Sequence, residues 1–174
     1  NIGVMLPYTG LHLLLFDNSK EPAFILTSAN PPSEPIVKEN REALKKMGGD
    51  VDYFLFHDRK IAHRCDDSVV KFLGGRPSII RRSRGYAPEP IQLKSSAKKC
   101  ILALGGELNV TSCILLSDKA YISQHIGDVD EMETFNFLRE ATQHLLHLIK
   151  GKVDAVACDL HPRFQTTKLA LEMK

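Results

Sequence analysis

Several function classes are argued against by what this sequence has little of. Its four cysteines, Cys65, Cys100, Cys113 and Cys158, are scattered through 174 residues without a C-x-x-C pair. That argues against a zinc knuckle or a disulfide scaffold and fits reduced thiols in a cytoplasmic protein. No apolar run is long enough to span a bilayer. The apolar opening, IGVMLPYTGLHLLLF, lacks a basic lead-in and a small-residue cleavage site, and Pro7 interrupts it, so it is not a signal peptide. An excess of one charge is missing too: 23 Lys+Arg against 21 Asp+Glu leave +2, too little by itself to argue for nucleic acid. What remains, 43% hydrophobic and 25% charged, suits a globular protein of one ordinary domain or pieces of two. Because the chain starts at Asn1 inside an apolar run and stops at Lys174 inside a helix-like one, the expectation is a piece of something longer.

The densest local chemistry lies in HRCDDSVVKFLGGRPSIIRRSRGYAP, from His63 onward. Ser68–Phe72 and Ser78–Arg82 are β-branched runs flanking Gly74-Gly75, a dipeptide suited to the positive φ of a tight hairpin turn. The hairpin opens into Arg81, Arg82, Arg84 and Gly85. Guanidinium groups beside a glycine suit an anionic ligand such as a phosphate, and equally suit a solvated basic surface partly neutralised by Asp66 and Asp67.

Before that stretch, Ile2–Leu6 and Ala23–Leu26 read as short buried strands, the second running into TSANPPSEP. Ser28 and Asn30 there either hydrogen-bond a ligand or satisfy the turn backbone. His12 reads as a packed histidine. A helix is expected over Lys38–Met47, stopped by Gly48-Gly49, and a strand over Val51–Phe56. Together these predict a mixed α/β (α+β) sheet. After Tyr86, Pro88, Pro90 and KSSAKK read as a linker. Strands over Cys100–Leu104, Thr111–Leu116 and Ala120–Ser123 then form a β-meander with turns at Gly105-Gly106 and Ser117-Asp118. A long helix follows, with capping-box spacing at Asp130 and Glu133 and a stop at Gly151. His144 and His147 on it read as surface or core-edge histidines rather than metal ligands. Val153–Cys158 is a strand ending in Asp159-Leu160-His161-Pro162, where α/β sheets tend to hold ligands. An Asp cap for a helix near Gln165 is the plainer reading of that turn.

RCDDSVV, IIRRSRGYAP, LALGGELNVTSCI, SQHIGD and CDLHP, in this order, closely resemble the HypF carbamoyltransferases of hydrogenase maturation. TSAN resembles the serine-x-asparagine motif of their YrdC-like domain. The resemblance covers essentially the whole chain. It implies a partial YrdC-like domain over 1–93, a linker over 94–99, and over 100–174 the first meander, helix and strand of an ASKHA-type (actin-like ATPase) carbamoyltransferase domain. It further implies ATP, Mg²⁺ and carbamoyl phosphate giving carbamoyl-adenylate, then transfer to the C-terminal cysteine of the partner HypE, precursor of a cyanide ligand.

Under that resemblance Ser28, Asn30, Arg82 and Arg84 are the catalytic candidates. Asp67, Ser68 and Arg81 join them in binding nucleotide and carbamoyl-adenylate. Asp66 and Asp67 orient arginines or help hold Mg²⁺. In the second domain Gly105, Gly106, Glu107, Asn109, Asp159 and His161 edge a cleft. The family's lysine–arginine motif is expected upstream of Asn1, and a histidine-rich motif for zinc or iron beyond Lys174. No metal site is expected within the chain itself, and isolated activity is not expected. Open sheet edges predict poor solubility. Three other readings compete: a YrdC-type synthase of threonylcarbamoyl-adenylate, which leaves LALGGELNVTSC, SQHIGD and CDLHP unexplained, an RNA-binding module using RRSRGY, which lacks an aromatic platform beyond Tyr86, and a mere interaction surface between neighbouring domains. A membrane partner is not expected.

Overall fold

The structure, a computed structural model, describes residues 2–173. In chain order the elements are α1 (Gly10–Asp17), α2 (Asn40–Met47), β1 (Val69–Leu73), β2 (Arg76–Arg81), β3 (Ile91–Gln92), β4 (Ile101–Leu104), β5 (Ser112–Leu116), β6 (Lys119–Ile122), α3 (Met132–Leu148), β7 (Ala155–Ala157) and α4 (Gln165–Glu172). The architecture is mixed α/β. An antiparallel hairpin, β1-β2, precedes a five-stranded sheet in the order β3-β6-β5-β4-β7.

The hairpin forms because Gly74 and Gly75 hold φ of 57° and 75°, the sign a two-residue turn demands and side chains resist. Leu73 then pairs with Arg76, and the register runs back to Val69 opposite Arg81 through an irregularity at Val69/Val70. The expected meander is present as β4-β5-β6, turning through Ser117 at φ 55°. β7 adds in parallel to β4, with Leu102 opposite Val156. β3 joins the far edge by pairing with β6. Leu93 and Ala97 donate backbone N–H bonds to Asp118 and Ser117, so the residues after β3 are fastened to the β5-β6 turn.

The core sits entirely in this second sheet and its helices. Leu102, Ile114, Val129 and Leu138 are fully buried, and Phe135, Phe137, Leu145 and Leu169 close around them. Each such side chain stabilises by about 1.5–3 kcal/mol. Alternation makes this possible: Leu102 and Leu104 of β4 point inward while Ile101 and Ala103 are half-buried. On α3, positions 134, 135, 137, 138, 142 and 145 form the buried stripe.

Three expected strands are not formed. Ile2–Leu6, Ala23–Leu26 and Val51–Phe56 carry no strand, and most of their apolar side chains stay exposed, Ile2 at 93% and Tyr53 at 91%. A strand exists only through its ladder, and none of these runs has a paired neighbour among the described residues. LHLLLF instead lies within α1, whose N-cap Thr9 accepts a bond from the His12 N–H. The Lys38–Met47 helix begins two residues later than expected and stops at Gly48. The Asp130–Glu133 capping box is not made: Glu131 is the N-cap of α3 and gives no side-chain bond. At the other end Lys150, not Gly151, takes the left-handed conformation, at φ 51°.

Candidate functional site

A polar cavity of about 230 Å³ lies where the residues preceding β3 meet the second sheet. From the first half it is lined by Ser28 and Asn30 of the TSAN turn, by Asp66 on the approach to β1, and by Arg81 at the end of β2. Asn30 donates to the carbonyls of Pro31 and Glu34, at 3.1 and 2.9 Å, which folds the turn onto itself. Its Oδ1 is buried with no donor. Burial pushes the Asp66 carboxyl above the usual carboxylate range, against the pull of Arg81.

The second half supplies the opposite wall through His125 and Asp128 on the loop before α3, and Thr134 and Phe137 on α3. The His125 N–H donates to the Arg82 carbonyl at 2.9 Å. Burial first, then Arg81, holds its imidazole below its ordinary pKa of about 6.5, which leaves it neutral at pH 7. Arg64 fastens the two walls together. Its Nε donates to the Ile36 carbonyl at 2.7 Å, its Nη1 meets Glu140 of α3 at 3.2 Å, and its own carbonyl accepts from Gln124 Nε2 at 2.6 Å. Thr134 Oγ1 adds a bond to the Ser33 carbonyl at 3.0 Å.

The cavity thus brings together Ser28, Asn30 and Arg81 of the sequence candidates. Arg82, Arg84, Asp67 and Ser68 do not line it. Arg82 Nη2 donates to the carbonyls of Tyr86 and Glu89, at 2.8 and 2.5 Å, and so clamps the segment after the hairpin. Arg84 donates to the Cys65 carbonyl at 3.0 Å, pairs with Asp67 at 3.4 Å and lies over the Tyr8 ring. Asp67 also accepts from the Tyr8 hydroxyl at 3.1 Å. The two aspartates therefore differ: Asp67 orients an arginine, whereas Asp66 faces the cavity. Ser68 Oγ accepts from the Ser83 N–H and donates to the Arg84 carbonyl, at 2.8 and 2.9 Å, which knits the hairpin's open end.

The second-half candidates gather around the start of α4. Glu107 caps that helix by accepting from the Gln165 N–H, the work a carboxylate does at a helix N-terminus. Gly106 faces the Phe164 ring, on which His161 stacks with centroids 4.3 Å apart. Asp159 Oδ1 accepts from the His161 N–H at 2.7 Å, turning the chain rather than capping α4. Asn109 sits at φ 50°, its N–H bonded to Asp128 Oδ1 at 2.7 Å. Burial pushes the Cys100 and Cys113 thiols up, so neither is primed as a nucleophile.

Arg64, His125, Asp128 and Thr134 were not singled out from sequence. Only the SQHIGD motif pointed near two of them, and nothing local marks a residue that acts across a gap of 60 or 101 positions.

Comparison with known proteins places both halves. Residues 96–174 match the family model described as the HypF Kae1-like domain, and residues 1–83 match the one described as telomere recombination, that of the YrdC-like family. A probable carbamoyltransferase HypF of Methanocaldococcus jannaschii is 54% identical over 173 residues, which is 99% of this chain. The chain belongs to the HypF carbamoyltransferase family. A HypF of Synechocystis is 42% identical over 94% of the chain. The crystal structure of T. kodakarensis HypF superposes with a TM-score of 0.91 at 44% identity, covering 99% of this chain and 22% of that one. A full-length HypF in a phosphate- and nucleotide-bound form superposes at 0.90 with 42% identity, covering 98% of this chain and 27% of that one. The chain spans about a fifth of the length of its curated HypF relatives, 22% and 21% for the two named.

Proposed function

We propose that this chain carries the carbamoyl-activating site of a carbamoyltransferase, with residues 1–93 as the YrdC-like part and 100–174 as the start of the transferase part. The observation that carries the reading is the convergence of Ser28, Asn30, Asp66 and Arg81 on one polar cavity. Carbamoyl phosphate, hydrolysed to carbamate and phosphate, supplies the acyl group. A carbamate oxygen attacks the α-phosphorus of ATP, the bond to the β-phosphate breaks, and pyrophosphate leaves with the displaced electron pair. Such a displacement needs counter-charge and positioned donors more than a protein nucleophile.

Arg81 supplies the charge, Ser28 a hydroxyl donor, and the unpaired Asn30 Oδ1 an acceptor for the carbamoyl –NH₂. Among the described residues no three His, Cys, Asp or Glu side chains converge as a metal cage. Asp66 on the cavity wall nevertheless suits Mg²⁺ brought in on ATP, which commonly takes only one or two carboxylates from a protein. In this reading the C-terminal thiolate of HypE then attacks the carbamoyl carbon of the adenylate, the bond to the phosphate oxygen breaks, and AMP leaves. The solved relative's phosphate- and nucleotide-bound form supports nucleotide use by the family.

The test is carbamoyl-phosphate-dependent exchange of pyrophosphate into ATP by the full-length protein. Arg81→Ala and Ser28→Ala are expected to lower exchange, Arg81→Ala by about a hundredfold, with the melting temperature unchanged. Arg82→Ala is expected to lower the melting temperature by releasing Tyr86 and Glu89. No exchange in the wild type, or full exchange in Arg81→Ala, defeats the reading.

A further inference from the structure

One wall of the cavity comes from outside the YrdC-like half, and that wall is held firmly. Gly127, at φ 112°, bridges to Val110, with Val110 N–H bonded to the Gly127 carbonyl at 2.8 Å and Ile126 N–H to the Val110 carbonyl at 3.0 Å. Ile126 is buried in the second core, and Asp128 is fixed by the Asn109 N–H. The His125 bond to the Arg82 carbonyl sets this loop against the end of the hairpin.

The charges facing the cavity are unevenly committed. Arg64 is engaged with Ile36 and Glu140, which leaves Arg81 as the cation for a phosphate. Asp66, Asp128 and Glu34 stand on the wall as acids, and of these Glu34 is neutralised by Lys46. A ligand carboxylate entering beside the phosphate therefore meets Asp128 without a free cation to offset it, and like charges brought together discriminate strongly between partners.

We propose that His125–Asp128 is the specificity wall of the activating site. It admits an unsubstituted carbamate and refuses one whose nitrogen bears a carboxylate-containing group. The proposal rests on the adenylate-forming reading above. For either carbamate the bond formed is from carbamate oxygen to α-phosphorus and the bond broken releases pyrophosphate, so the ratio of the two exchange rates reads the discrimination alone.

The experiment measures ATP–pyrophosphate exchange by the full-length protein with carbamoyl phosphate, and separately with threonine plus bicarbonate, whose carbamate carries a carboxylate on its nitrogen substituent. Wild type is expected to favour carbamoyl phosphate. Asp128→Asn, which keeps an acceptor for Asn109 while removing the charge, is expected to shift the ratio toward the substituted carbamate by about tenfold. His125→Ala, which opens the wall and leaves its backbone bond in place, is expected to shift it in the same direction. A merely structural role would lower both rates in parallel and leave the ratio where it was. An unchanged ratio in both variants, or a wild type that uses both substrates equally, overturns the wall while leaving adenylate formation standing. Absence of exchange with carbamoyl phosphate in wild type removes the activating site and the wall together.

Discussion

The two halves of this chain are held together by different physics. From Cys100 onward thirteen apolar side chains are buried in one cluster, whereas Ser83 is the one buried residue of the described chain before it. The second half thus has a hydrophobic core of its own. The first half stands on a hairpin, two short helices and a set of polar ties to the second, chiefly through Arg64, Ser33 and Arg82. The lesson is that a site can be assembled from a region that contributes chemistry and another that contributes rigidity. The cavity lies on the seam between them.

That contrast can be broken most forcefully in the core. Leu138→Ala or Leu102→Ala removes a fully buried side chain and is expected to cost about 2–5 kcal/mol. Thermal unfolding followed by circular dichroism should show the second-half transition fall. A loss below about 1 kcal/mol would mean the core is not what holds this half together.

The seam is the next target. Arg64→Met deletes the bonds to Ile36 and Glu140 while keeping the aliphatic stem near Phe137. The expected loss is about 1.5–3 kcal/mol of docking. It should appear as faster limited proteolysis between residues 2 and 90, with the second-half melting transition unmoved. Equal protection of the first half in wild type and variant would show that the seam does not depend on this arginine.

The smallest expected effect is that of pH, and it tests where the seam titrates. His144 of α3 stacks on His63 at 3.5 Å between centroids; burial, then the neighbouring His63 and His147, lowers its pKa, and burial lowers that of His125. Below about pH 6.5 an unfolded histidine therefore takes a proton before these folded ones do. Stability present above about pH 6.5 is lost as pH falls through the lowered values. Asp66 has the opposite sign, because its raised pKa makes folding weaken as pH rises past the ordinary carboxylate value. The melting midpoint is expected to drop from about pH 7.5 to about pH 5.5, and less steeply in His144→Gln. Parallel slopes in wild type and variant would place the titration elsewhere.

What could be read from sequence follows the same division. The Gly74-Gly75 hairpin, the meander and the long helix were legible because turn glycines, alternation and a three-to-four repeat are local signals. Ile2–Leu6, Ala23–Leu26 and Val51–Phe56 misled because an apolar run announces only a preference for burial, while strand status depends on a partner elsewhere. Ser28, Asn30 and Arg81 stood out by residue type. The separation of Arg81 from Arg82 was not legible, since β2 ends at Arg81 and Arg82, just past it, turns to the Tyr86 and Glu89 carbonyls. Arg64 and His125 required the tertiary arrangement itself.

The polar seam also fixes an order of events during synthesis. Arg64 must wait 60 residues for Gln124, and Ser33 must wait 101 for Thr134. At about 5–20 residues per second of translation, that interval is roughly 3–20 s. Of the two halves, the one synthesised earlier is thus the last to be fastened, and through that interval its apolar stretches at Ile2–Leu6, Leu11–Leu15 and Phe24–Leu26 are exposed to aggregation.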